Sequence, residues 1–157
     1  MMKIIIASDS HGRNSILDLI PYYYQDASYF LFCGDLEDDP IYYEPWECVE
    51  GNNDWLWYCE EKLEIELENH KILVIHGDQF FSHTRKQDLA FYAKQNDCDI
   101  VCYGHTHVPS IDEVEGILLI NPGSLQHNRD GSECSYAILT IEENIEVQLV
   151  YESDWPF

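Results

Sequence analysis

Five times along this chain a short apolar run breaks off into a segment rich in aspartate, asparagine, histidine and glycine. The segments are Asp9-Ser10-His11-Gly12, Gly34-Asp35, Gly51-Asn52-Asn53-Asp54, His76-Gly77-Asp78 and Gly104-His105-Thr106-His107. Apolar runs without polar alternation read as strands covered on both faces. That pattern demands an α/β architecture, in which ligands gather beyond the carboxyl ends of the strands.

The runs before these segments are Lys3 to Ser8, Ser28 to Cys33, Glu47 to Glu50, Lys71 to Ile75 and Asp99 to Tyr103. Leu63, Ile65 and Leu67 alternate with glutamates, giving a half-exposed strand that pairs with Lys71 to Ile75 as a hairpin. Two more hairpins are expected, from Ile111 to Val114 with Ile117 to Ile120 and from Ser135 to Ile141 with Ile145 to Tyr151. Helices are expected from Ser15 to about Tyr24, capped by Asn14 or Ser15 and disturbed by Pro21, and from Arg85 to Asn96. Leu36 to Tyr43 is acidic and turn-like. The many hairpins favour two sheets packed face to face, flanked by helices, over one doubly wound sheet.

At 157 residues the chain suits a single domain, residues 1–157, with a sizeable core. Eight Lys and Arg stand against 30 Asp and Glu, a formal net charge of -22. A surface of that sign repels polyanions, which argues against a nucleic-acid polymer or an anionic membrane as partner. Two bound divalent cations would reverse the field locally and admit a small phosphate ester. None of the six cysteines forms a C-x-x-C pair, so no zinc knuckle or redox motif is indicated. Polar Ser8 to His11 arrive too early for a secretory h-region, and a reducing, cytoplasmic setting is expected.

Asp9 and His11 stand at i and i+2, where an extended backbone turns both side chains to one face. Asp35 carries two oxygens and suits a bridge between two cations. His105 and His107 repeat the i, i+2 spacing in a loop marked by Gly104 and Pro109. Asn52 adds a neutral oxygen and His76 a nitrogen. Mixed carboxylate, imidazole and amide ligands suit Mn²⁺, Fe or Zn²⁺ better than Ca²⁺. Paired divalent metals activate water against phosphate esters.

The ordered set D-x-H, G-D, G-N-x-D, H-G and G-H-T-H, with the N-P-G-S turn at Asn121 to Ser124, resembles the calcineurin-like metallophosphoesterases. The similarity is greatest to their small single-domain branch of YfcE-type phosphodiesterases, and it runs from about Lys3 to Tyr151. The resemblance implies a four-layer α/β/β/α sandwich of two mixed β-sheets. It implies a first metal on Asp9, His11 and His107, a bridging Asp35, and a second metal on Asn52, His76 and His105. The implied activity is hydrolysis of a small phosphate diester by a hydroxide bridging the metals, with Mn²⁺ expected and Fe, Zn²⁺ or Ni²⁺ as the other ions. Phosphomonoesterase or nucleotide pyrophosphatase activity would use the same site.

This chain departs from the pattern twice. Asn53 stands where larger relatives carry histidine, and an amide donates hydrogen bonds but is no general acid. Asp78 stands where small relatives often carry histidine. Asn53, Asp54 and His105 are the candidate catalytic residues, Asp54 by orienting a ligand or water or else as a turn-forming residue. The competing class is a non-catalytic scaffold of the same fold, against which the complete ligand set argues. His83, His127 and Arg129 are expected near the site or on plain surface, and His70 in an exposed turn. The alternation of Trp55 and Trp57 with Leu56 and Tyr58 predicts an apolar face open to a homo-oligomer, a dimer or tetramer.

Overall fold

The computed structural model describes residues 1–157. Its strands in chain order are β1 (Met2–Ala7), β2 (Tyr29–Phe32), β3 (Trp46–Cys48), β4 (Lys62–Glu66), β5 (Lys71–Ile75), β6 (Ile100–Cys102), β7 (Ser110–Val114), β8 (Ile117–Asn121), β9 (Ser135–Ile141) and β10 (Ile145–Tyr151). They form two mixed five-stranded sheets, ordered β10-β9-β1-β2-β3 and β4-β5-β6-β8-β7. The first sheet runs β1, β2 and β3 parallel. The second does the same with β5, β6 and β8.

Period-two geometry explains why the apolar runs are continuous. In β1, Ile4 and Ile6 enter the layer between the sheets with Leu31, Val74, Cys102 and Leu139. Ile5 and Ala7 face the other way, onto Ile16, Leu17 and Ile20 of helix α1 (Ser15–Tyr23). Leu73, Val101 and Leu119 of the second sheet face Leu89, Ala90 and Ala93 of helix α2 (Arg85–Gln95). The result is the four-layer α/β/β/α sandwich, with the central strands of each sheet buried on both sides.

Pro21 sits inside α1 and removes one helical N–H, leaving the Leu17 carbonyl without its usual donor. The Trp46 indole N–H takes that carbonyl at 2.7 Å, so the proline is accommodated by a residue from β3. Asn14 holds the N-cap position but caps nothing. Its amide instead accepts from Ser10 Oγ at 2.5 Å and donates to the Leu36 carbonyl at 3.1 Å, tying two site loops together.

The third strand lies one residue earlier than expected and ends at Cys48; Val49 makes a single bridge to Glu60. Residues 55–59 form no strand, and Trp55, Leu56 and Tyr58 are exposed while Trp57 is half-buried. His70 is half-buried and holds Asp99 at 2.6 Å, so it is more than an exposed turn residue. No helix is long and apolar enough to cross a membrane.

Candidate metal centre

The parallel strands β1, β2 and β3 lead into Asp9, Asp35 and Asn52, and β5 and β6 lead into His76 and His105. Both sheets deliver their carboxyl ends to the same edge, where loops from one sheet bond to loops from the other. Asp9 N–H donates to Gly34 O at 3.0 Å within the first sheet, and His105 N–H donates to Asp9 Oδ2 at 3.0 Å across the sheets.

Asp9, His11, Asp35, His105 and His107 all adopt positive φ, between 43° and 67°. The extended backbone expected for Asp9 and His11 is therefore not how these side chains converge; left-handed turns aim them. Asp and His enter that region more readily than most residues, and each such residue still costs on the order of 1 kcal/mol. Five of the seven candidate ligands thus share a strained backbone, a feature that recurs at functional sites. The glycines beside them serve close approach. A Cβ on Gly51 would lie 2.2 Å from Asp35 Oδ1, and one on Gly104 2.4 Å from Asp9 Oδ2.

The seven candidate ligands form one cluster. Asp9 Oδ1 lies 3.1 Å from His107 Nε2 and 3.7 Å from His11 Nε2. Asp35 Oδ2 lies 3.4 Å from His76 Nε2 and 3.7 Å from His11 Nε2. Asn52 Oδ1 is 3.0 Å from His76 Nε2 and 3.1 Å from His105 Nδ1. Two overlapping groups have metal-ligand spacing, Asp9 with His11 and His107, and Asp9 with Asp35 and His76.

Three imidazoles have their far nitrogen fixed. His76 Nδ1 donates to Cys33 O at 2.6 Å, His107 Nδ1 to His127 O at 3.0 Å, and His11 Nδ1 meets Glu37 Oε2 at 3.0 Å. Each partner selects the tautomer whose Nε2 lone pair points inward, as outer partners of metal-bound histidines do. Sequence reasoning missed all three. Two are backbone carbonyls, which any residue supplies. Glu37 gave a faint signal, an acidic residue two positions past Asp35.

Asp54 is buried, and its carboxylate accepts three backbone N–H groups, from Asp35 and Gly51 at 2.7 Å and from Glu37 at 2.8 Å. It therefore positions the loops that carry Asp35 and Asn52. Asn53 bonds Asp35 twice, through its backbone N–H at 2.9 Å and its side-chain amide at 3.0 Å. Asp78 and Trp55 line an open groove beside Asn52, with Glu50, Glu61 and Gln79. The His83 and His127 side chains are exposed.

The donor set fits cations. Asp9 Oδ1 is fully buried and has no hydrogen-bond donor. His107 Nε2, 3.1 Å away, offers a lone pair when Nδ1–H donates to the His127 carbonyl. A buried unpaired carboxylate oxygen is costly unless a cation compensates it. The metal-free charges point the same way. Burial opposes ionisation of Asp35, yet hydrogen bonds from His76 and Asn53 hold it well below the usual carboxylate range. Burial likewise opposes a charge on His76, but Asp35 and Asp9 raise it to about 9. A proton on His76 thus stands in for positive charge at the centre. Burial lowers His105, helped by the charges of His76 and Arg85.

Comparison with known proteins agrees with this geometry. The profile of the calcineurin-like phosphoesterase superfamily domain matches residues 2–144. The chain is 33% identical to the probable metallophosphoesterase YsnB of Bacillus subtilis, covering 96% of this chain and 91% of that protein. It is 24% identical to the phosphodiesterase YfcE of Escherichia coli, covering 88% of each. A solved predicted phosphoesterase from Streptococcus pneumoniae TIGR4 superposes with a TM-score of 0.90 at 32% identity, over 99% of this chain and 93% of that one. Vacuolar Protein Sorting 29 from Cryptosporidium parvum superposes with a TM-score of 0.72 at 17% identity, over 96% and 98%, a likeness of fold alone.

Proposed function

Because the chain belongs to the calcineurin-like phosphoesterase superfamily and is a metal-dependent hydrolase of phosphate esters, we propose that it is a phosphodiesterase with a two-metal centre. Asp9, His11 and His107 would hold one ion, Asn52, His76 and His105 the other, and Asp35 would bridge them. The observation that carries this reading is the buried, donor-less Asp9 Oδ1 within 3.1 to 3.9 Å of three imidazole nitrogens. A divalent pair held there supplies Lewis-acid charge against the phosphoryl group and an activated water for in-line attack. Mn²⁺ is the proposed ion.

The chain's own residues set the rest. Glu37, Cys33 O and His127 O hold the imidazoles in register. Asp54 holds the Asp35 and Gly51 backbone. Asn53 fixes the bridging carboxylate and keeps an amide, not an acid, beside the site, so leaving groups that need no strong proton donor are favoured. The groove beside Asn52 presents Glu50, Glu61 and Asp78. Those carboxylates disfavour a dianionic monoester more than a monoanionic diester, which supports the diester as substrate. The net charge of -22 supports a small ester over a nucleic-acid polymer. The exposed Trp55, Leu56 and Tyr58 support self-association as a dimer or tetramer, which light scattering across a dilution series would test.

The deciding experiment is hydrolysis of a chromogenic phosphodiester and its matching monoester by metal-stripped protein, with and without Mn²⁺, beside Asp35→Asn. Metal-dependent diester cleavage that the variant loses is expected. No cleavage with any divalent ion would reject catalysis and favour a scaffold of this fold.

A further inference from the structure

A cation census singles out one residue at the site. Lys3, Arg13, Lys62, Lys71, Lys86 and Lys94 each lie within 4.0 Å of a carboxylate. Among eight basic residues in a chain with 30 acidic ones, only Arg85 and Arg129 have no such partner. Arg129 lies on the loop after His127, and Arg85 opens α2 just beyond the His76 loop. Arg129 N–H donates to His107 O at 2.8 Å, but its side chain is exposed and nothing fixes it. Arg85 is different, because its guanidinium is held in place.

Arg85 Nε donates to Gly77 O at 2.9 Å, one residue past His76, and Arg85 Nη2 donates to Phe80 O at 3.1 Å. The acceptors are neutral carbonyls, so the charge stays uncompensated. The nearest carboxylate on its own helix, Asp88, is engaged by Thr84 Oγ1 at 2.7 Å. A guanidinium has five N–H donors, and two are used. An arginine kept half-buried, oriented and unpaired among so many carboxylates is suited to a visiting anion.

We propose that Arg85 is an anion-binding residue of this active site, contacting a phosphoryl oxygen of the ester from the side of His76. The inference rests on the phosphoesterase reading above. It adds to that site a protein-borne positive charge which neither the strand-end motifs nor the ligand set contains. The same residue would help a net-acidic protein retain an anionic substrate, whose approach Glu50, Glu61 and Asp78 oppose.

The competing role for Arg85 is a clamp on the loop from Gly77 to Phe80. Calorimetric titration of Mn²⁺-loaded protein with inorganic phosphate separates the two, using wild type, Arg85→Gln and Arg85→Lys. Phosphate affinity is expected to fall roughly tenfold or more in Arg85→Gln, the usual effect of losing a charge-assisted hydrogen bond, and less in Arg85→Lys. Mn²⁺ content should stay at the wild-type level, and KM for a chromogenic diester should rise with little change in kcat. Unchanged phosphate affinity in Arg85→Gln would overturn the assignment, as would a loss that merely tracks lost Mn²⁺. If wild type cleaves the diester but the variant binds phosphate equally well, only this inference fails. If wild type neither cleaves esters nor takes up phosphate, the phosphoesterase reading fails with it.

Discussion

The Nε2 atoms of His11 and His107 stand 3.0 Å apart, although 96 residues separate them in sequence. Each ring turns its Nδ1 to an acceptor, Glu37 for His11 and the His127 carbonyl for His107. With those protons engaged, two lone pairs face one another beside the buried Asp9 carboxylate. Such a contact is repulsive between neutral rings. A shared cation would turn it into coordination, as the proposed metal centre requires.

Glu37→Gln should weaken Mn²⁺ binding by about 10- to 100-fold, because outer partners of metal-bound histidines contribute on that scale. The amide can still accept from Nδ1 but no longer adds negative charge. Activity at saturating Mn²⁺ should stay near wild type. Mn²⁺ titration followed by activity and by calorimetry checks this, and an unchanged dissociation constant would refute it.

The metal-free protein should lose stability as pH rises from about 6.5 to about 9. His76 is raised to about 9 when folded, despite burial, by Asp35 and Asp9. A raised value means that the folded state binds the proton more tightly, so the gain is complete below the ordinary histidine value and gone above the folded one. The lowered Asp35 is the other end of the same interaction and is counted once. Mn²⁺ must displace the His76 proton, so its affinity should rise over the same window. Urea unfolding of stripped protein at pH 6, 7.5 and 9 tests the first part. A flat profile would show that His76 is not charged in the absence of metal.

Gly51→Ala should destabilise the fold by about 2 kcal/mol or more and abolish tight metal binding. Its Cβ would fall 2.2 Å from Asp35 Oδ1 and 2.4 Å from the Asp35 backbone N, and overpacking of this kind forces backbone shifts. Gly116→Ala is the control, since nothing lies within 4 Å of its Cβ and only its φ of +80° opposes the change. Thermal unfolding and metal content distinguish them. Equal effects of the two would mean that the strand-end packing is looser than described.

Asp54→Ala should cost about 3 kcal/mol of stability, as three buried N–H groups lose their acceptor. Its lost activity should return in part as Mn²⁺ is raised, because the residue acts by holding Asp35 and Gly51 in place. A rate that stays low at saturating Mn²⁺ in folded protein would instead assign Asp54 a direct part in the chemistry.

Much of this was legible in the sequence, for identifiable reasons. Ile4-Ile5-Ile6 could only be a strand covered on both faces, and the turn residues after each run marked where the chain leaves the sheet. The Ser135 to Ile141 and Ile145 to Tyr151 hairpin falls on its expected bounds because alternation and turn chemistry agree there. The third strand shifted because Trp46 is fixed by Leu17 O and the aromatic rings of Phe30 and Phe32, contacts that no local pattern encodes. Asp9 and His11 depart from the extended backbone that their spacing suggests because positive φ is set by tertiary bonds, such as His11 N–H to Asp35 O at 3.0 Å. The partners of His76 and His107 are carbonyls, invisible to any reading of side chains.

The candidate ligands are divided between the sheets, with Asp9, His11, Asp35 and Asn52 on loops of the first and His76, His105 and His107 on loops of the second. Neither half can assemble the site alone. A partly folded chain in which the sheets have not yet docked is therefore a silent one, with no residual phosphate chemistry to release into its surroundings. Ions bound at that seam would resist sliding of one sheet past the other, so loading the centre and locking the sandwich would be a single event.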